Sequence, residues 1–206
     1  MADMFNHATQ ANVEIQYDDA DPSNCYVYSN QDIPENSSLF LSYGEPTNPS
    51  HLFATYGFLD ESSPATFCKI MNIKSTPELQ NLGLDFTRML FYTETGDITT
   101  EVWDVLLYTI LEERNEKQIQ SQFYTAHMND DAETKNAIHA QYFAYTSKKL
   151  KHHVDTFLQE LDQLSGKALT KDVRVHPRIP IILQHNEFVK QTFLKVQMKL
   201  NEMMMG

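Results

Sequence analysis

The sequence predicts an α+β protein, a compact β region followed by helices over the remaining two thirds of the chain. Three observations carry this. Up to Ser62-Ser63-Pro64 the apolar residues come in short β-branched or aromatic runs separated by turn residues. Beyond that point they recur at helical spacing. No helical pattern separates the first strands, as βαβ units would require. With 41% hydrophobic residues, 12 Phe and 10 Tyr among 206 residues, there is enough apolar side chain for a core, which argues against a disordered chain.

The elements follow in order. Asn12 to Tyr17 (NVEIQY) alternates and reads as a strand, Asp18-Asp19-Ala20-Asp21-Pro22 as a turn, and Cys25 to Tyr28 (CYVY) as a second strand. Asp32 to Ser38 is a polar connection, and Leu39 to Tyr43 (LFLSY) a third strand closed by Gly44. Asn48-Pro49 predicts a helix start, with Asn as N-cap and Pro at the first helical position. That helix carries Leu52, Phe53 and Tyr56 and stops at Gly57 as its C′ residue. Thr66 to Tyr92 holds a short strand and a helical turn opening at Thr76-Pro77-Glu78.

From Thr99, the positions Val102, Leu106, Tyr108, Ile110 and Leu111 predict a helix ending near Arg114, and a second runs from Asn115–Lys117 to about His127. Asp130, with Glu133 three residues on, has the form of a capping box. The helix it opens keeps the stripe Ile138, Tyr142, Tyr145, Val154, Phe157, Leu161 and Leu164 until Ser165-Gly166. A last helix follows Pro177 or Pro180, with Leu183, Phe188, Phe193, Val196 and Leu200 inward, and the Met203-Met204-Met205 tail is expected to fray.

Charge and composition exclude several classes. Lys and Arg total 16 against 28 Asp and Glu, a net charge of −12, the opposite of a surface that neutralises phosphates, so no nucleic-acid partner is expected. No run approaches the roughly 20 apolar residues of a bilayer span, so no membrane partner is expected either. The opening Met-Ala-Asp-Met-Phe-Asn-His has no basic n-region or apolar h-region of a secretory signal. Cys25 and Cys68 are too few for a disulfide framework and read as reduced, small apolar fillers of an intracellular protein, without distinguishing cytoplasm, nucleus or plastid. His139, His152, His153, His176 and His185 show no paired-carboxylate pattern, and the adjacent His152 and His153 fall on different helix faces, so no metal is implied. Lys148, Lys149 and Lys151 read as a solvated helix face, and the oligomeric state leaves no mark on the sequence.

Two segments stand out: Ala2-Asp3-Met4-Phe5-Asn6-His7, and Leu41-Ser42-Tyr43-Gly44 followed by Asn48 and Thr55-Tyr56-Gly57-Phe58. Taken singly, Tyr43 and Tyr56 read as core aromatics and Asn6-His7 as a turn. Taken in order they resemble the C-terminal part of a SET domain of the Rubisco large-subunit methyltransferase branch, where a D-M-x-N-H stretch crosses a Y-G-x-x-x-N…Y-G-F stretch in a knot-like arrangement. The branch appends an all-helical substrate-binding domain, so the resemblance implies a partial SET-type β region over 1–63 and a helical Rubisco LSMT-like domain over 64–206.

The resemblance further implies an S-adenosylmethionine-dependent protein-lysine N-methyltransferase, with a protein substrate docked on the helical domain. Asn6 would bond the amino-acid end of the donor and His7 would offer its backbone to the adenine edge. Tyr43 would stand at the floor of the lysine channel, with Tyr56 and Tyr17 as further walls, and Asn48 would help hold the crossing together. Methyl transfer from a sulfonium to an amine needs nitrogen, methyl and sulfur in line. An aromatic channel desolvates the lysine ammonium, helps it shed its proton, and offers ring faces to the cation. A histidine acceptor is a variant within the branch.

Two departures carry expectations of their own. Glu35-Asn36-Ser37-Ser38 stands where the family often has Gly-Glu, which implies an altered turn. The family's N-terminal half supplies a Gly-x-Gly loop against the donor, and none occurs in these 206 residues. The polypeptide alone is therefore expected to bind S-adenosylmethionine poorly and turn over little. The rival from another class is a non-catalytic protein-binding module built on the helical part. A structural helical bundle with a β cap is the third.

Overall fold

The computed structural model describes residues 5–21, 24–44, 47 and 49–205. It is a mixed α+β protein, as the sequence predicts. Strand β1 (Asn6–His7) pairs in parallel with β4 (Phe40–Leu41), and the hairpin β2 (Val13–Tyr17) and β3 (Cys25–Ser29) is inserted between them. Asn12 stitches the hairpin to β4: its N–H donates to Phe40 O at 3.2 Å, and its side-chain oxygen accepts from Phe40 N–H at 2.8 Å. The hairpin loop is held by Asp18, which receives Ala20 N–H at 2.8 Å on its side chain, an Asx-type turn. The Glu35–Asn36 turn places Asn36 at φ +64°, the left-handed conformation that Asn tolerates.

Helix α1 (Pro49–Tyr56) starts at its proline and ends where Gly57 takes φ +76°, as expected; the Asn48 cap lies outside the described residues. Strand β5 (Ala65–Phe67) pairs antiparallel with β6 (Leu90–Tyr92), a strand the sequence reading did not resolve. Between them α2 (Pro77–Asn81) is capped by Thr76, whose Oγ1 accepts Leu79 N–H at 3.3 Å. The turn after β6 presses on the last helix: a Cβ at Gly96 would fall 2.7 Å from the Lys195 backbone carbonyl carbon, so only glycine fits there.

Four longer helices complete the chain: α3 (Thr100–Glu113), α4 (Lys117–Met128), α5 (Ala132–Leu169) and α6 (Ile179–Met205). Their inward stripes build one core with β5 and β6, including Val102, Leu106, Phe123, Leu150, Val154 and Phe193. Phe193 is fully buried in it, with its ring 5.1 Å from Phe91 and 4.4 Å from Phe157. Burying one such ring is worth about 2–3 kcal/mol.

Several expectations are corrected. Helix α5 continues through Ser165-Gly166 to Leu169, because one helical glycine costs only about 1 kcal/mol against many turns of packing. Its cap is Asp131, which receives Thr134 N–H at 3.0 Å, while Asp130 takes φ +54° in the preceding turn. Tyr145 and Leu164 point outward from the stripe, and the final methionines continue α6 through Met205. Cys68 is buried as expected, but Cys25 is exposed on the hairpin, where all five residues of β3 face solvent. No helix among the described residues is long and apolar enough to cross a membrane.

Candidate functional site

The parallel pairing of β1 with β4 sets Asn6 opposite Phe40 and His7 opposite Leu41, and so carries Tyr43 alongside His7. Tyr43 N–H donates to His7 Nδ1 at 3.1 Å, and the Tyr43 hydroxyl donates to Phe5 O, the carbonyl of the peptide leading into Asn6. A ring nitrogen that accepts carries no proton, so His7 is protonated on Nε2, which donates to Asp60 Oδ2 at 2.9 Å. Asp60 also accepts from Thr9 Oγ1, from Ser62 Oγ at 2.6 Å and from Ser62 N–H at 3.0 Å. Burial favours its neutral form, but the bonds from Ser62, Thr9 and His7 outweigh burial and hold its carboxyl down at about 2.

Around this latch four rings gather. Tyr43 lies 5.0 Å from Tyr56, His7 lies 5.5 Å from Tyr43 and 5.4 Å from Phe58, and Tyr56 lies 6.2 Å from Phe58. Gly57 turns the chain out of α1, which lets Phe58 fold back beside Tyr56. Tyr56 is 51% exposed, so the cluster has one open side. Asn6 is exposed beside it, and its side-chain amide makes no hydrogen bond to the described residues. Tyr17 is not brought here: it sits on the hairpin opposite Cys25, is 63% exposed, and belongs to none of these ring pairs. Ala2, Asp3, Met4 and Asn48 of the sequence motif lie outside the described residues.

A second constellation joins the β region to the last helix. Lys69 Nζ donates to Ser50 Oγ at 2.6 Å, and Ser50 Oγ lies 3.0 Å from His185 Nε2. The His185 ring stacks on Phe53 at 4.5 Å. Burial lowers Lys69 to about 8. Burial, with the Lys69 charge adding to it, lowers His185 to about 4, so that imidazole is neutral and its Nε2 accepts the Ser50 hydroxyl proton. Lys69 lines a cleft of about 1370 Å³, whose walls include His51, Ile70, Glu112, His153 and Glu160 rather than the Tyr43 rings.

A third lies inside the helices. Asp104, 2% exposed in side chain, receives Lys135 Nζ at 2.5 Å and lies 2.8 Å from His139 Nε2 and 3.6 Å from His127 Nδ1. This corrects the reading of His139 as lacking a carboxylate partner. A charged residue on the apolar stripe of α3 was the signal in the sequence, since a buried carboxylate is kept only with partners. Among the described residues no group of His, Cys, Asp and Glu is arranged to hold a metal ion.

Comparisons with protein-family models, with curated proteins and with solved structures returned no match.

Proposed function

We propose that the protein serves S-adenosylmethionine-dependent methyl transfer to a protein lysine, with the site at the crossing of β1 and β4. The observation that carries this reading is the juxtaposition of His7 with Tyr43 and Tyr56, residues that lie 36 and 49 positions further on in the sequence and share one aromatic cluster with it, Asn6 preceding His7 on β1. The Asn6 amide, exposed and unengaged among the described residues, fits the amino-acid end of the donor, and the His7 backbone fits its adenine edge. The donor supplies an electrophilic methyl group. Everything else falls to the chain itself.

Tyr43 spends its hydroxyl proton on Phe5 O, which leaves the oxygen lone pairs to accept an N–H of an incoming amine and orient its nitrogen. The rings of Tyr43 and Tyr56 offer their faces to a lysine cation and strip water from it, which favours the neutral amine. His7 and Asp60 hold the Tyr43 backbone so that the ring keeps its place. The test supplies the protein, as expressed from its own gene, with tritiated methyl donor and candidate acceptor proteins. Methyl-lysine in the acid hydrolysate supports the reading, methyl-histidine changes the acceptor, and no label on protein overturns it.

A second reading has an observation of its own. The large cleft between the Lys69 loop, α3 and α5 stands apart from the ring cluster and is of a size to hold a peptide, which favours a protein-binding role for the helical part with or without catalysis.

A further inference from the structure

Lys69 combines features that nothing in the methyl-transfer reading uses. It follows β5 with φ +61°, a left-handed conformation that is costly for a side chain with a Cβ and that the surrounding structure must hold in place. His153 helps to do so, with its Nε2 2.7 Å from Cys68 O on the preceding residue. The Lys69 side chain is largely buried, yet no carboxylate among the described residues lies within ion-pair distance of its ammonium. Its one hydrogen-bond acceptor among those residues is Ser50 Oγ, whose own proton faces neutral His185. Two ammonium hydrogens are therefore left without a partner among the described residues, in a molecule whose formal charge is −12.

A largely buried cation with no carboxylate partner among the described residues, at the wall of an open cleft, is stabilised by an anion from outside. The charge pattern narrows the choice. The cleft lining contains no arginine, so no planar fork is present to grip a phosphate. The other lysines of the lining are the exposed Lys74 and the half-buried Lys149, the latter paired with Glu113 at 2.6 Å, while Glu112 and Glu160 on the same walls oppose a dianion more than a monoanion. A volume of about 1370 Å³ exceeds the usual range of about 300–1,000 Å³ for small-ligand sites, and Ile70, Met71, Phe86 and Phe157 add apolar surface to it. We propose that this cleft binds an extended peptide segment of a partner protein and that Lys69 receives the carboxylate of an Asp or Glu in that segment. The proposal rests on the helical part being a partner-binding surface and is independent of whether methyl transfer occurs.

The test screens the folded protein against immobilised, acetylated random octapeptides that include Asp, Glu and phosphoserine. The expected pool is enriched in Asp or Glu at one position. The best peptide should lose about tenfold or more in affinity when that residue is replaced by its amide. Lys69→Met should bind the acid and amide peptides equally, and Lys69→Arg should keep part of the preference. Retained peptides without an acidic preference, a preference unchanged in Lys69→Met, selection of phosphoserine over carboxylate, or no retained peptide at all would each overturn the proposal. Tritium transfer by the wild-type protein is measured separately from this screen, which separates this failure from failure of the methyl-transfer reading.

Discussion

His7 Nδ1 accepts the Tyr43 backbone N–H at 3.1 Å, so one imidazole fixes the strand that carries the proposed channel tyrosine. The opposite nitrogen of the same ring is anchored 2.9 Å away on Asp60, which ties the N-terminal strand, β4 and the segment after α1 into one unit. His7→Ala removes both bonds and leaves the largely buried Asp60 carboxylate with fewer donors. It is expected to cost about 2–3 kcal/mol in urea unfolding. His7→Gln, which can preserve one bond, should cost less. Equal losses would show that the ring packs rather than bridges.

Acid should weaken the protein in a defined window. Residue 185 has a pKa of about 4 when folded against 6.5 for free histidine, so between these values the unfolded chain binds a proton that the folded chain does not. Stability therefore falls as pH drops from 6.5 to about 4, by on the order of 2–3 kcal/mol. Asp60 acts lower: held at about 2 against 3.8, it contributes stability above 3.8 that is lost as pH falls through about 2, roughly 1 kcal/mol after solvent screening. Urea titrations of wild type and His185→Gln should converge toward the acid end of the upper window. A constant difference across it would contradict the burial of a neutral imidazole.

Lys69 gives the opposite end of the pH scale. Its folded value of about 8 lies below the ordinary 10.5, so the buried charge costs stability at and below pH 8, and the cost is relieved as pH rises from about 8 toward 10.5. The buried Cys68 thiol, pushed up to about 12 by burial, has the reverse sign above 9 and offsets part of this in the wild type. The difference between Lys69→Met and wild type isolates the lysine. The variant should be more stable by about 1–3 kcal/mol near neutrality, and the gap should shrink above pH 8. A variant less stable than wild type would mean that the ammonium is already neutralised.

Much of the helical part was legible from spacing alone, because α3 and α4 bury apolar residues that recur every three to four positions. The stop expected at Gly166 was not, since local propensity at one residue is small beside the packing of a 38-residue helix. The pairing of β1 with β4, which brings His7 beside Tyr43, left no mark in composition or periodicity. The side-chain part of His7, bridging to Asp60, left no periodic trace. Ser50, Lys69 and His185 could not be assembled from the sequence at all: Ser50 and His185 are 135 positions apart, and nothing local marks them as neighbours.

Asp104 should behave as a buried ion partner rather than a surface charge. Asp104→Asn leaves Lys135 and His139 without their carboxylate and is expected to destabilise by about 3 kcal/mol in thermal or urea unfolding. The double variant Asp104→Asn with Lys135→Met should recover part of that loss, because the stranded ammonium is then gone. Additive losses would indicate that the two groups do not interact.

The most direct measurement of the central idea compares methyl transfer by wild type and Tyr43→Phe, each expressed from its own gene and each assayed for donor affinity in parallel. The substitution keeps the ring beside Tyr56 and His7 and removes only the hydroxyl that bonds Phe5 O. Label on protein lysine should fall by about tenfold or more, or change in methylation state, while donor affinity holds. An unchanged rate and product would contradict a role for the Tyr43 hydroxyl at the crossing of the two strands.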